Sequence, residues 1–241
     1  MSTAPVRATQ VRSYEHHFFV SIGIIAAVII LVGFSRTYYL KEFFQTPALL
    51  PIIHLHGALF TSWVVLFIAQ AWLVSSHRSR IHMRLGIAGF LLAIAMIVVG
   101  TTAAITVARV GHVRPGGPPP LVFLVVPIFD MLVFSVLIIA GFLIRRRPDY
   151  HKRIMAVATL SLMTAAFGRM IVMVQGRGNV KLALTFTALL VTIATASDAI
   201  LHRRIHPAFV WAGGLVLLSI PLRFGVAQTD AWMSLARWLT N

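Results

Sequence analysis

Apolar runs of about twenty residues recur along the whole chain, each long enough to cross the ~30 Å hydrocarbon core of a bilayer. Only a helix keeps every backbone polar group of such a run satisfied within its own segment. Seven runs stand between charged or Pro/Gly-rich turns: Phe18–Phe34, Leu49–Leu73, Leu85–Val107, Leu121–Ile144, Arg153–Val174, Leu182–Leu201 and Ala208–Leu222. The expected fold is all-α: one polytopic domain over residues 1–241 with seven transmembrane helices. Only 11% of the residues are charged, less than half the ~25% usual in soluble domains. No stretch is left over for a soluble domain.

The formal net charge of +15 has the sign of a nucleic-acid binder, but the cations sit in short turns between spans. There they act as topology determinants, and no nucleic-acid partner is expected. Arg7, Arg12, Arg78, Arg80, Arg84, Arg145, Arg146, Arg147, Lys152, Arg153, Arg203 and Arg204 fall on one side. Arg36, Lys41, Arg109, Arg114, Arg177, Lys181, Arg223 and Arg237 fall on the other, and Arg169 lies within the fifth span. Twelve against eight, with the dense clusters all on the first side, places the N-terminus in the cytoplasm and the C-terminus outside. The membrane expected is the cell's inner, cytoplasmic one. No small-residue cleavage site follows the first run, so it is expected to be retained as a span.

The chain has no cysteine, which excludes disulfides, thiolate metal sites, iron–sulfur clusters and c-type haem attachment. There is no phosphate loop, HExxH or GxSxG. The seventh span has no lysine, so a retinal Schiff base placed as in the rhodopsins is excluded. Residues 36–46, with Tyr38, Tyr39, Phe43 and Phe44, suit an interfacial aromatic belt. Residues 109–120, RVGHVRPGGPPP, form a rigid outer loop. After Pro221, Thr229 or Asp230 caps a short amphipathic helix in the outer interface, with Trp232, Leu235 and Leu239 on one face.

Histidines mark the second span and the helix starts. His56, Trp63, Gln70 and His77 recur every seven residues. On a helix they form one stripe, drifting about 20° per heptad, that faces protein rather than lipid. Each helix entering from the basic side opens on histidine: His16 and His17, His82, His151 and His206. These are interfacial residues or the mark of a helical hairpin used three times, as in transport folds.

Ionisable residues at lipid depth are functional candidates because each is costly unless paired or wet. Here they are His54, His56, Asp130, Arg169 and Asp198. His54 and His56 lie about 200° apart on a helix and cannot share one small ligand. His56 is the inward group, and His54 with Thr61 faces a neighbouring helix. Asp130 is the expected partner of Arg169, unless an anionic ligand group is. Asp198 and His202 stand at i,i+4, where a carboxylate fixes an imidazole's tautomer for ligation or a proton relay. Met155, Met163 and Met170 line the fifth span as packing residues.

HLHG opening a helix (54–57), HMRLG after a basic turn (82–86), and HKRIM (151–155) followed by Ala165, Arg169 and Met170 resemble a broad group of uncharacterised bacterial multi-pass membrane proteins. Over residues 54–170 the histidine pattern also resembles that of membrane cytochromes of b type. That likeness implies haem b, gripped by histidines of two neighbouring helices at one depth, and an electron-transfer or membrane-protein partner. On the outer side His56 is then the axial ligand, with Trp63 as a wall and Arg169 at the propionates. His54, Met170 or Met173 would complete the pair, since no second helix-borne histidine lies at that depth and His112 is in a loop. On the inner side His82, His151, His202 and His206 supply a pair, which makes His82 and His151 metal candidates beside His56. Three functions stay open: a histidine-ligated haem or redox protein, a small proton-coupled transporter using Asp130, Arg169 and the Asp198–His202 pair, and a non-catalytic assembly subunit.

Overall fold

The computed structural model describes residues 4–111 and 116–241, with side chains from residue 17 onward. His112, Arg114 and the side chains of Arg7, Arg12 and His16 lie outside the described residues. The described fold is helical throughout: α1 (Ala4–Phe34), α2 (Pro51–Ser75), α3 (Ser79–Arg109), α4 (Pro120–Phe123), α5 (Val125–Leu143), α6 (Pro148–Ser161), α7 (Thr164–Gln175), α8 (Val180–His202), α9 (Pro207–Ala227) and α10 (Asp230–Thr240). A π-helical turn, Ser35–Tyr39, continues α1. Seven segments are long and apolar enough to cross a membrane, with α4–α5 and α6–α7 each forming one. Their outward faces are apolar, as at Val65, Leu91, Val98, Leu132 and Ile193. Such a surface suits hydrocarbon and not water. The protein is a multi-pass membrane protein.

Local signals set the helix ends. Proline occupies the first turn of α2, α6 and α9, where its missing N–H costs nothing. Gly176 closes α7 in the left-handed conformation at φ 70°, which glycine adopts without a Cβ penalty. α3 and α6 start earlier than their apolar runs, because polar residues extend a helix beyond the hydrocarbon.

The fourth and fifth spans form the centre. Half of each is buried, against 17–33% of the other spans. Phe134, Leu137, Ile154, Val157, Leu160 and Met163 fill the core with Trp63, Met96 and Phe209. The fifth span is not one straight helix. The Leu162 and Met163 N–H groups bond back three residues, to Thr159 and Leu160, while Thr159 and Ser161 hydroxyls bond the carbonyls of Met155 and Ala158. Side-chain bonding of this kind bends helices. It turns α7 toward α1, where an added Cβ on Gly33 would stand 2.7 Å from the Ala166 carbonyl oxygen.

Two expectations about the C-terminal region are corrected. The seventh span does not end near Pro221; α9 runs through it to Ala227. Neighbouring helices and local adjustments let transmembrane helices tolerate proline, and Ser219 Oγ donates to the Val216 carbonyl in the turn before Pro221. Arg223 is therefore a residue of the bundle and not of the outer turn. Thr229 does cap α10, its Oγ1 accepting from the Trp232 N–H at 3.2 Å. The inward face, however, is Trp232 and Ala236, and Leu235 is exposed. Trp232 Nε1 donates to the Leu121 carbonyl at 3.0 Å, which pins α10 to α4 and fixes that choice of face.

Candidate functional site

The first three positions of the heptad stripe on α2 make a polar seam through the bundle; the fourth, His77, falls outside it, because α2 ends at Ser75 and His77 is exposed in the following turn at φ 57°. His56, Trp63 and Gln70 each meet a polar group from another helix. Across the ~21 Å between His56 and Gln70, the fifth span supplies Arg169, Thr159 and His151 in turn.

At the end remote from the N-terminus the His56 ring lies on Phe60 at 4.1 Å, and its buried Nδ1 has no hydrogen-bond partner among the described residues. Arg169 is within electrostatic range of this ring. Its Nε donates to Thr37 Oγ1 at 3.2 Å, and its guanidinium covers Phe34 at 4.1 Å. Thr37 belongs to the π-turn of α1, a deformation often found at functional positions. The neighbouring Tyr38 donates to the His54 carbonyl at 3.1 Å, and Tyr39 shares a 2.7 Å bond with Thr61. His54 itself is exposed. Ser35 Oγ lies 4.0 Å from Met173 Sδ.

In the middle of the seam Trp63 is buried at 4% exposure. Its Nε1 donates to Thr159 Oγ1 at 3.2 Å, and its ring meets Phe134 edge-on at 5.2 Å. Trp63 is thus committed to the fifth span.

At the end nearer the N-terminal side, His82 and His151 come together from α3 and α6. Their ring centres are 6.3 Å apart and the planes stand at 79°. His151 Nδ1 is 2.8 Å from the Gly141 carbonyl. A carbonyl only accepts, so Nδ1 carries the proton and Nε2 the lone pair. Gln70 orients the other ring. When the Gln70 amide is turned by 180°, its oxygen accepts from the Gly86 N–H at 3.0 Å and its nitrogen donates to His82 Nδ1 at 3.0 Å. His82 then carries its proton on Nε2. One imidazole offers a donor and the other an acceptor.

The carboxylates have different partners from those expected. Asp130 pairs not with Arg169 but with Arg223, whose Nη1 reaches Oδ1 at 2.6 Å, and Arg223 Nη2 also donates to Ser219 Oγ at 3.2 Å. Helix bonding carries Arg223 inward past Pro221, four residues beyond Ser219. Asp198 is fully buried and holds Arg153, with Nε at 3.0 and 3.1 Å and Nη2 at 2.8 Å. His202 Nδ1 lies 3.4 Å from that carboxylate and 2.9 Å from the Asp198 carbonyl. The carboxylate is therefore shared between the Arg153 guanidinium and the His202 ring. Arg153, counted among the surface cations from sequence, is 2% exposed. Its only sequence signal was its place five residues inside a proline-started helix.

These positions decide the fit of haem. The end at His56 offers one imidazole, with Trp63 bonded to Thr159, Met173 against Ser35 and His54 exposed. The His82–His151 pair supplies two imidazoles at one depth, and with the Gln70 amide turned one Nε2 is a donor. The layer one turn deeper is filled. Leu66 stands 3.0 Å from a Cβ built on Gly89, Met155 Sδ 2.9 Å from one built on Gly141, and Phe90 stacks on Phe142 at 4.1 Å. These residues do not fit a porphyrin plane. His56 also lies at the far end of the seam from His82 and His151, and no group of three metal-ligating side chains occurs among the described residues. No protein-family model matches the chain, and no curated protein or solved structure matches it.

Proposed function

We propose that this protein is a small proton-coupled carrier in the bacterial cytoplasmic membrane, with its N-terminus inside, and that His82 and His151 form its proton relay. The observation that carries this reading is the meeting of two imidazoles from neighbouring helices, 6.3 Å apart, with His151 fixed at Nδ1 by the Gly141 carbonyl; a turned Gln70 amide makes His82 complementary to it. A direct imidazole–imidazole hydrogen bond would bring ring centres to about 5 Å, taking an N···N distance of ~2.9 Å. The 6.3 Å separation leaves room for one bridging water, which passes a proton without moving either helix. Imidazole titrates near neutral pH, the property a relay needs. The relay falls to histidines because Asp130 and Asp198 are held by arginine. The seam through Trp63 and Thr159 to His56 and Arg169 gives it a direction across the membrane.

The test is proton uptake by vesicles containing the full chain, followed with an internal pH dye under an imposed membrane potential. The wild type is expected to conduct, His82→Gln and His151→Gln to lose at least tenfold, and His54→Gln to conduct normally. Wild-type vesicles no more permeable than empty ones would overturn the proposal.

A second reading, a histidine-ligated redox or metal-handling protein, rests on the same spacing. An ion held between the two imidazoles would take one ring nitrogen from each histidine, with metal–nitrogen bonds of about 2.0–2.1 Å. It requires His82 to carry its proton on Nδ1 instead. Stoichiometric metal, lost in the His82 and His151 variants and kept in His56→Ala, would decide for it.

A further inference from the structure

We propose that the hollow between the starts of α6 and α9 is a binding site for the phosphate headgroup of an anionic phospholipid. The hollow has a volume of about 710 Å³, and Arg146, Arg147, Arg204 and His206 line it. The three arginine side chains are exposed and make no ion pair or hydrogen bond among the described residues. The neighbouring Arg145 differs: its Nη1 donates to the Phe142 carbonyl at 2.9 Å and its guanidinium lies over the Phe142 ring. One carboxylate, Asp149, faces the hollow, and Lys152 already holds it at 2.9 Å. Among the described residues the wall therefore carries an excess of positive charge.

Two further features match this charge to a lipid. Helices α6 and α9 both begin at the hollow, at Pro148 and Pro207, so both positive dipole ends face an anion bound there. Ile205, on the same wall, is 60% exposed, and Ile200, at the end of α8, is 79% exposed. An apolar edge beside three free guanidiniums suits a ligand with a phosphate and an acyl chain. The site stands at the mouths of two membrane-crossing helices, the level of the headgroups. Basic recesses between transmembrane helices are a recurrent way of holding anionic lipid.

The experiment titrates the full-length protein, purified in neutral detergent, with phosphatidylglycerol, phosphatidylcholine or inorganic pyrophosphate, and reads thermal stability and lipid adducts by native mass spectrometry. Phosphatidylglycerol is expected to stabilise saturably and to remain bound, and the other two are not. Arg147→Gln and Arg204→Gln should each raise the half-saturating concentration about fivefold, the effect of one headgroup-level arginine. Arg145→Gln removes the same charge from the same turn but leaves the hollow intact, so it should bind as the wild type does. Equal stabilisation by phosphatidylcholine would overturn the proposal. So would an Arg145→Gln loss as large as that of Arg147→Gln, which would indicate diffuse attraction. Stabilisation by pyrophosphate as strong as by lipid would make this a site for a soluble anion instead. A variant that fails to fold is replaced by native mass spectrometry of the wild type, where retention of phosphatidylglycerol no better than phosphatidylcholine counts against the site.

Discussion

Asp198→Asn tests the buried charge that ties α6 to α8. The substitution keeps the shape of the side chain and one acceptor oxygen but removes the negative charge from a fully buried site. Arg153 then loses the carboxylate that met its Nε at 3.0 and 3.1 Å and its Nη2 at 2.8 Å. It keeps the Asp149 carbonyl on Nη1 at 2.9 Å, and the His202 ring stays within 3.4 Å of Nη2. Stranding one partner of a buried pair costs about 3–5 kcal/mol. The retained amide oxygen and the Asp149 carbonyl put this case near the lower end, about 3 kcal/mol. For a chain of this size that is a fall in Tm of about 6–12 °C. The assay is thermal unfolding in detergent followed by intrinsic fluorescence of the five tryptophans. Removing both charges, with Arg153→Met and Asp198→Leu together, should recover most of the loss, because no charge is then buried alone. A single variant within 2 °C of the wild type, or a double variant no better than the single one, would refute the reasoning.

Gly33→Ala should destabilise by about 1–3 kcal/mol, because the new methyl meets the Ala166 backbone, which cannot rotate away. Gly214→Ala, with open space around its Cβ, should be neutral in the same melts. Trp63→Phe keeps the ring against Phe134 but gives up the bond to Thr159, so chemical unfolding should find it about 1 kcal/mol less stable. His206 sits between spans, and its pKa lies below the ordinary value through burial first and the nearby Arg153 next, with Arg204 adding and Asp198 and Asp149 opposing. Its Nδ1 caps α9 by accepting from the Ala208 N–H, a role that requires the neutral ring, and Tyr150 packs on its face at 4.8 Å. The folded state thus binds its proton less readily than the unfolded chain. The cap's contribution is complete above the ordinary histidine value of about 6.5 and is lost as pH falls through the folded pKa. Wild-type Tm should therefore drop more steeply below pH ~6.5 than that of His206→Asn, and parallel curves would count against it.

The local physics of one segment was sufficient for the spans, the inward stripe and the cap of α10. Hydrocarbon demands long apolar helices, and a heptad spacing puts His56, Trp63 and Gln70 on one face whatever lies opposite. Pro51, Pro148 and Pro207 mark helix starts by their missing N–H alone. What lies opposite is another matter. Arg153 and Arg223 read as topology charges because an arginine near a span end is usually wet. Only the packing of α6 on α8 and of α5 on α9 places each within reach of a carboxylate more than forty residues away in sequence. The same holds for His82 and His151, whose meeting depends on α3 and α6 both flanking α5. A sequence states which groups need partners; the partner is chosen by helix neighbourhood, which follows from the summed packing of the whole bundle and is written in no single stretch of it.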